Sequence, residues 1–570
     1  MWSLEGDNLK PQVIIFQGTT HDPYWYNRAA GGYKLATYLD SNNFDCQVIP
    51  NCTALTLEGF RQVFRKYGSD RLLWIGFTTN WLAGRRGNDY YQQWQNSMQP
   101  IINTTLIDWF HNEVDQRDEV YKCIYTPEMF QHILNVAHNS SPDVQLVFGG
   151  SQLNRNEYFH HNVIFPHGTA HFIKGNAEEA VLKMTKRFAK GNYSVKDLPS
   201  NDEYDYGKFK TSFIQYKDTD NIQPNEWLPI EISRGCAFKC KFCNYDMKGV
   251  TNNYVDAKVL RKNIIQQYER FGTTKFTIMD DLYNDNYAKV KDLYDNCWSK
   301  LPFQPELAGY LRLDLLWKRP DQAQLLLDSG FRCGSFGIET LHDKAGKAVG
   351  KGLGRQRIVE TLQMCHEIWR DNLLVHAFFI AGLPHEDQES LLQTIEWTKD
   401  TKFIHGIIWH WLELENIKVL PPDTNVDKIS ILGKDPEKYG YTWNPDTILQ
   451  EKSDTLRIAS ADALSGKVDM PENQWMEKKW KIDEIKDQAY NTDWVNDAGV
   501  NLNFAKYINK VGNDVKLNTY FTMYADKRAL GFLHHEIIQQ SILNDGETHI
   551  EWENTVKKPA TIERLLAIIS

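Results

Sequence analysis

Three cysteines, Cys236, Cys240 and Cys243, fall within the stretch "ISRGCAFKCKFCNYD" (232–246). Thiolates are soft ligands, and a group of them points to a thiophilic metal centre. Three is an odd number for a disulfide framework. It is also one short of a structural zinc site, which takes four protein ligands, usually as two paired units. No second pair follows. Cys297 and Cys333 are isolated, and Cys365 with His366 falls on an expected helix far downstream. An iron–sulfur cluster suits the spacing better, because three thiolates hold three irons of a four-iron cluster and leave the fourth open to bind substrate. Gly235 lets the chain turn as it leaves the preceding run. Lys239 and Lys241 bring positive charge beside the thiolates.

The elements that must position this loop follow from hydrophobic patterning. "LPIEIS" (228–233), directly before the cysteines, reads as a strand. Five more runs follow: "KFTIMDD" (275–281), "ELAGYLRL" (306–313), "CGSFGIE" (333–339), "LLVHAFFIAG" (373–382) and "HGIIWHWLEL" (405–414). Helical segments such as "DAKVLRKNIIQQYERFG" separate them, and glycines in "RFG" and "DSG" mark helix ends. This alternation predicts a partial (β/α)6 TIM-like barrel over 228–425, with its chemistry at the C-terminal strand ends. On the sixth strand Trp409 and Trp411 share one face and His410 takes the other.

Upstream, "QVIIFQ" (12–17), "DCQVIP" (45–50), "RLLWIGF" (71–77) and "VQLVFGG" (144–150) alternate with helical stretches, and "NVIFPHG" and "HFIKGNAEEAVLKMTKRF" add a strand and a helix. The pattern predicts an N-terminal doubly wound, Rossmann-like parallel sheet over 1–189, in an α/β fold. A Trp-, Asn- and Gln-rich insertion near 80–140 is too long for an ordinary connection. Residues 190–227 read as a linker, or as an arm draped over the next domain. Residues 426–570 read as mostly helical, with no chemical motif.

Bulk properties narrow the function. At about 150 residues per domain, 570 residues imply three or four domains. The net charge of −10 argues against a broad nucleic-acid-binding face. No apolar run approaches the ~20 residues that span a bilayer. "MWSLEGDNLKPQ" lacks the pattern of a secretory signal, and six of the nine cysteines are scattered, so a reducing cytoplasm is expected.

With these residues in view, "GCAFKCKFC" resembles the C-x3-C-x-aromatic-C signature of the radical S-adenosylmethionine superfamily. The resemblance implies a 4Fe-4S cluster on the three cysteines, with the methionine part of S-adenosylmethionine chelating the fourth iron. One electron then cleaves the cofactor and releases a 5′-deoxyadenosyl radical. It also implies a reducing partner such as flavodoxin or ferredoxin, and it sets Phe242 near the adenine. "FTIMDDLYNDN" resembles the segment that approaches the methionine amino group, which makes Asp280 and Asp281 candidates; helix capping is their alternative role. "SFGIETLHDKAGKAVGKG" places Glu339 beside the cofactor. "FFIAGLPHEDQES" places Gly382 and Pro384 against the adenine, with Glu386 capping the next helix. Arg312 meets the cofactor carboxylate or forms a surface salt bridge.

The N-terminal segments "AGGYKLATYLDSNNFDCQVI", "VQLVFGGSQLN" and "FIKGNAEEAV" resemble the cobalamin-binding class of this superfamily. The DxHxxG motif of the best-known cobalamin domains is missing, however. In "QGTTHDPYWYNRAAGG" His21 precedes Asp22 and no glycine follows in step. His21 therefore reads as a loop histidine, and cobalamin is not the favoured expectation. Gly149 and Gly150 could admit a nucleotide tail or only make a tight turn.

The resulting expectation is a radical enzyme acting on a small molecule or peptide, with methyl transfer among its outcomes. A tRNA methylthiotransferase shares the layout, but it needs three N-terminal cluster cysteines. Cys46, Cys52 and Cys123 are spaced by 6 and 71, the wrong rhythm. A non-catalytic scaffold with a structural metal loop is the third alternative.

Overall fold

A computed structural model describes most of residues 10–49, 57–78, 127–150, 170–198, 213–222, 227–249, 254–412 and 430–438. The run of elements opens with β1 (Val13–Phe16), β2 (Thr19–Asp22), β3 (Trp25–Arg28), α1 (Ala30–Asp40), β4 (Cys46–Ile49), α2 (Leu57–Tyr67) and β5 (Trp74–Thr78). It continues with α3 (Pro127–His138), β6 (Gln145–Gly149), β7 (Ala170–Ile173) and α4 (Glu178–Phe188). Five of these strands form one parallel sheet in the order β4-β1-β5-β6-β7. The first strand pairs with the second on one side and the third on the other. In a doubly wound sheet, the crevice where that order reverses receives ligands.

Side chains alternate across this sheet, and each face has its own cover. Val13 and Ile15 pack with Tyr33 and Leu39 of α1 and Val181 and Met184 of α4. Ile14 and Phe16 pack with Phe60 and Phe64 of α2 and Ile133 and Leu134 of α3. On that second face the register aligns a row of stacked rings: Phe16 on Phe77 at 5.0 Å, Phe77 on Phe148 at 6.0 Å, and Phe148 on Phe172 at 5.5 Å. Each such pair adds about 0.5–1.5 kcal/mol beyond area burial.

The loop expected around His21 is instead an antiparallel hairpin, β2–β3, in which His21 pairs with Tyr26. Thr19, Thr20, Trp25 and Tyr26 are strand formers, and their propensity prevails over the loop reading. The strand expected in "NVIFPHG", and the 80–140 insertion up to residue 126, lie outside the described residues.

The second sheet holds β8 (Leu228–Ile230), β9 (Lys275–Ile278), β10 (Glu306–Leu311), β11 (Phe331–Glu339), β12 (Leu374–Ala381) and β13 (Gly406–Trp411). Its strands are adjacent in chain order and parallel throughout, with no pairing of β13 to β8. This is the open (β/α)6 barrel expected from the sequence. The helices between are α5 (Ala257–Phe271), α6 (Tyr287–Asn296), α7 (Leu313–Lys318), α8 (Asp321–Asp328), α9 (Asp343–Val349) and α10 (Arg355–Trp369). At α5 the sequence signals hold at both ends. Asp256 accepts from Lys258 N at 2.9 Å and Val259 N at 3.0 Å, and Gly272 closes the helix at φ 68°.

The segment read as a linker or arm contributes to the core. Phe213, Ile214 and Tyr216 are buried, and the Tyr216 ring meets Tyr33 of α1 at 4.9 Å. Arg270 and Gln267 of α5 donate to the carbonyls of Tyr216 and Ile214 at 2.6 and 3.2 Å. The segment thus ties α1 of the first sheet to α5 of the second. Of the expected C-terminal helices, the described residues include α11 (Ile431–Lys434), whose Leu432 N donates to Lys241 O at 3.1 Å. No described helix is long and apolar enough to cross a membrane.

Candidate functional site

Six parallel strands bring six C-terminal ends to one edge of the second sheet. The cysteine loop leaves the first of them. Its backbone turns at Gly235, φ 93°, and folds back on itself: Gly249 N donates to Cys236 O at 2.6 Å and Phe238 O at 3.0 Å. Gly249 sits at φ 75°, a left-handed backbone that favours glycine at this close turn. Lys241 N donates to Val349 O at 3.1 Å, seating the loop on the end of α9.

All three thiols are free and partly exposed. Two donors already point at sulfur: Tyr245 N to Cys243 Sγ at 3.3 Å, and Arg312 Nη1 to Cys240 Sγ at 3.4 Å. Burial pushes the Cys236 and Cys243 thiols up, and the Cys240 charge adds to the rise, against backbone N–H groups that oppose it. A bound metal centre reverses that balance and holds such thiols deprotonated. Among the described residues no three His, Cys, Asp or Glu side chains converge on one ion. A four-iron cluster does not require convergence, because each thiolate binds a different iron. The donor set therefore fits a cluster, with hydrogen bonds to sulfur of the kind that tune its potential.

The other strand ends supply the remaining candidates. Asp280 is buried and caps no helix. It accepts from Ile232 N at 2.7 Å, Ser233 N at 2.9 Å and Ser233 Oγ at 2.5 Å, and so pins the segment just before the cysteines. Burial raises its carboxyl, with Lys289 opposing. Asp281 is open to solvent on one side while protein crowds the other. Desolvation raises its carboxyl to about 6; the Tyr245 hydroxyl bond opposes the rise and the Asp280 charge adds to it.

Arg312 is not a surface ion pair. It is buried, its guanidinium lies 3.8 Å from the Phe238 ring centroid, and Asp314 holds Nε and Nη2 at 2.8 and 2.9 Å. Its charge thereby faces Cys240. Phe242 is half-buried against the core. Glu339, at the end of β11, is buried at φ 69°, in the left-handed region. That conformation costs a non-glycine residue about 1–3 kcal/mol and persists where the surroundings over-determine it. Here a register shift after Gly337 and the Lys351 ammonium, 3.2 Å from Glu339 Oε1, fix the side chain.

At the end of β12 Gly382 turns at φ 96°, and Leu383 and Pro384 are buried. Glu386 reaches backwards to the turn before it, while residues 387 and 388 of the segment it is expected to cap lie outside the described residues. It accepts from Gly382 N at 3.2 Å and Leu383 N at 3.1 Å and takes the Thr340 hydroxyl, joining the ends of β11 and β12. The turn leaves two N–H groups facing this carboxylate, which satisfies them. β13 pairs Trp409 with Phe379 and Trp411 with Ala381 along the backbone.

A second concavity lies at the C-terminal edge of the first sheet, at the β1/β5 switch point. This cavity, about 330 Å³, is lined by the glycine-rich ends of β1, β5 and β6 and the starts of α1 and α4, and Arg234 and Met279 from the second sheet complete it. Gly149 and Gly150 both line it. Among the described residues a Cβ on Gly149 would meet Ile173 O alone, at 3.8 Å, whereas Gly150 adopts φ 125°. Gln17, fully buried, accepts from Gly32 N at 3.0 Å, but its Nε2 has no hydrogen-bond partner among the described residues. Thr78 Oγ1 is in the same position. Two unsatisfied polar groups on adjacent strand ends are expensive unless a ligand meets them.

Sequence reasoning missed Arg234, Tyr245, Asp314 and Lys351 around the cysteine loop, and Gln17 and Thr78 in the cavity. Gln17 carried a faint signal as a polar residue ending an apolar strand; the others carried none in isolation.

Residues 230–398 match the family model of the Radical SAM superfamily. A search of curated proteins found no match. Among solved structures the chain is similar to the cobalamin-dependent S-adenosylmethionine radical enzyme OxsB with aqua-cobalamin bound. That match has 12% identity and a TM-score of 0.53, and covers 100% of this chain and 82% of that one. It is also similar to the radical S-adenosylmethionine methyltransferase TsrM from Kitasatospora setae, at 14% identity and a TM-score of 0.48, covering 70% of this chain and 72% of that one.

Proposed function

We propose that the protein is a radical S-adenosylmethionine enzyme acting on a small molecule or peptide, with Cys236, Cys240 and Cys243 holding a 4Fe-4S cluster. The observation that carries this reading is the three-thiol loop with donors already aimed at two sulfurs and no fourth cysteine beside it among the described residues. Held by these thiolates, the cluster would supply one-electron chemistry for reductive cleavage of S-adenosylmethionine. The chain's own residues prepare that event. Arg312 holds positive charge against Cys240. Asp280 fixes the entry to the loop. Glu339, Asp281, Phe242, Gly382 and Pro384 surround the position where the cofactor would lie. An electron paramagnetic resonance spectrum of the reduced, reconstituted protein tests this. Adding S-adenosylmethionine should change the signal; an unchanged signal would argue against an open iron.

A second cofactor is supported by a separate observation, the unsatisfied Gln17 and Thr78 groups in a glycine-lined cavity at the switch point. This arrangement favours a nucleotide-like tail, and OxsB, which is described with aqua-cobalamin bound, shares the fold. We therefore assign the cavity to the tail of cobalamin, with Gln17 and Thr78 rather than His21 as its polar contacts. Cobalamin would equip the enzyme for methyl transfer. Titration with hydroxocobalamin, read by its visible spectrum, tests the assignment; no saturable change would remove it.

A further inference from the structure

A group of buried charges joins the two facing edges. Arg234 lies two positions before Cys236 and also lines the cavity of the first sheet. Its Nη2 donates to Glu178 Oε1 at 2.6 Å and to Glu231 Oε2 at 3.2 Å. Its Nη1 donates to Glu178 Oε2 at 3.3 Å and Asn176 Oδ1 at 2.9 Å, and Nε meets Glu231 Oε1. Lys34 of α1 contacts Glu231 in turn. Glu178 and Asn176 belong to the start of α4 in the first sheet, while Glu231 follows β8 in the second. Arg234 thus sits between two carboxylates, while burial and then the Arg234 charge hold the Lys34 ammonium well below its usual range, and no side chain of the four is more than 15% exposed.

The loop entry is thus held from both sides. Asp280 of the second sheet grips Ile232 and Ser233, and the first sheet grips the very next residue. A bidentate fork on a buried carboxylate cannot shift without leaving a charge unpaired. Only the Gly235 turn separates that fork from Cys236. We infer that Arg234 is a positioning residue: through Glu178 it sets the cysteine loop against the first sheet, and it links the state of the cavity to the environment of the cluster. This rests on the proposed radical function for its spectroscopic consequence, but not for the tether itself.

The test uses the full chain with two changes: Glu178→Gln, which keeps shape and removes the charge, and Arg234→Lys, which keeps the charge and removes the planar fork. Peptide-resolved hydrogen exchange, which needs no metal, should show faster exchange over 235–243 in both variants and unchanged exchange in α5. After reconstitution both should alter the resonance spectrum of the reduced cluster and weaken S-adenosylmethionine binding about tenfold, as loss of a supporting contact does. The double variant should be little worse than either single one. Lys217→Met with Asp40→Leu removes another pair near the sheet junction, joined at 2.8 Å, and should lower Tm without moving either readout. Wild-type exchange over 235–243 in the Glu178→Gln variant would overturn the inference, as would the control pair reproducing its effects. Failure of the radical function itself would appear separately, as a wild-type chain with no cluster signal.

Discussion

The two sheets place their working edges face to face, and they build them by opposite means. At the second sheet the edge is crowded with charge: thiols, Arg312, Asp314, Lys351, and a Glu339 held in a strained backbone. At the first sheet the described edge is glycine-lined, with the Arg234–Glu178 pair at one side and the Gln17 and Thr78 polar groups without partners among the described residues. A site that must hold an inorganic cluster and orient a charged cofactor needs ligands and fixed charges. A site that admits a long organic tail needs room, close backbone approach and a few donors. The proposed function gives the two edges those two different tasks.

The sharpest way to break this contrast is at the thiols. Cys240→Ala should abolish the ~400 nm absorption of the reconstituted protein, since two thiolates are too few to retain the cluster; retained colour would contradict the ligand assignment. Next comes Glu339→Asn, which keeps a side chain tolerant of left-handed backbone but removes the charge beside Lys351. The absorption should persist while S-adenosylmethionine affinity, measured by equilibrium binding, falls about 10–100-fold.

At the opposite edge, Gly149→Leu should fold normally, because the space beyond its Cβ is open. It should weaken hydroxocobalamin binding at least ~10-fold by filling the cavity, and leave S-adenosylmethionine binding unchanged. Equal loss at both sites would erase the distinction between them. The smallest effect concerns pH. The Asp281 carboxyl is raised from 3.8 to about 6 in the folded chain, so its ionisation opposes folding. The penalty is absent below about pH 4, develops between about pH 4 and 6, and is complete above that. Before reconstitution, Asp281→Asn should therefore gain Tm relative to wild type as pH rises through this window. A constant difference would show that Asp281 titrates normally.

The cysteine edge was legible in the sequence because its chemistry is written in local spacing. Cys236, Cys240 and Cys243 are neighbours in the chain, and the six apolar runs that form β8 to β13 announce themselves by length and by the helices between them. The partners of those residues were not legible. Arg312 reads as a partner of the cofactor carboxylate or a surface ion pair, and its contact with Cys240 appears only when the fold closes more than seventy residues. Glu386 reads as a helix cap, and its contact with two N–H groups of the turn at Gly382 appears only in the fold. The cavity was harder still. Gly149 and Gly150 hinted at it, but Gln17 and Thr78 matter only because parallel pairing of β1 with β5 sets them side by side. His21, the residue a motif search tests first, lies in a hairpin that the loop reading did not foresee. What local spacing encodes could be read; what long-range pairing brings together could not.

The central claim is that the cysteine loop keeps an iron open for S-adenosylmethionine. Anaerobic reconstitution with iron and sulfide, followed by reduction in the presence of S-adenosylmethionine, tests it most directly, with bound metal and nucleoside products measured together. The account predicts about four irons per chain and formation of 5′-deoxyadenosine. Stoichiometric zinc with no 5′-deoxyadenosine would contradict it.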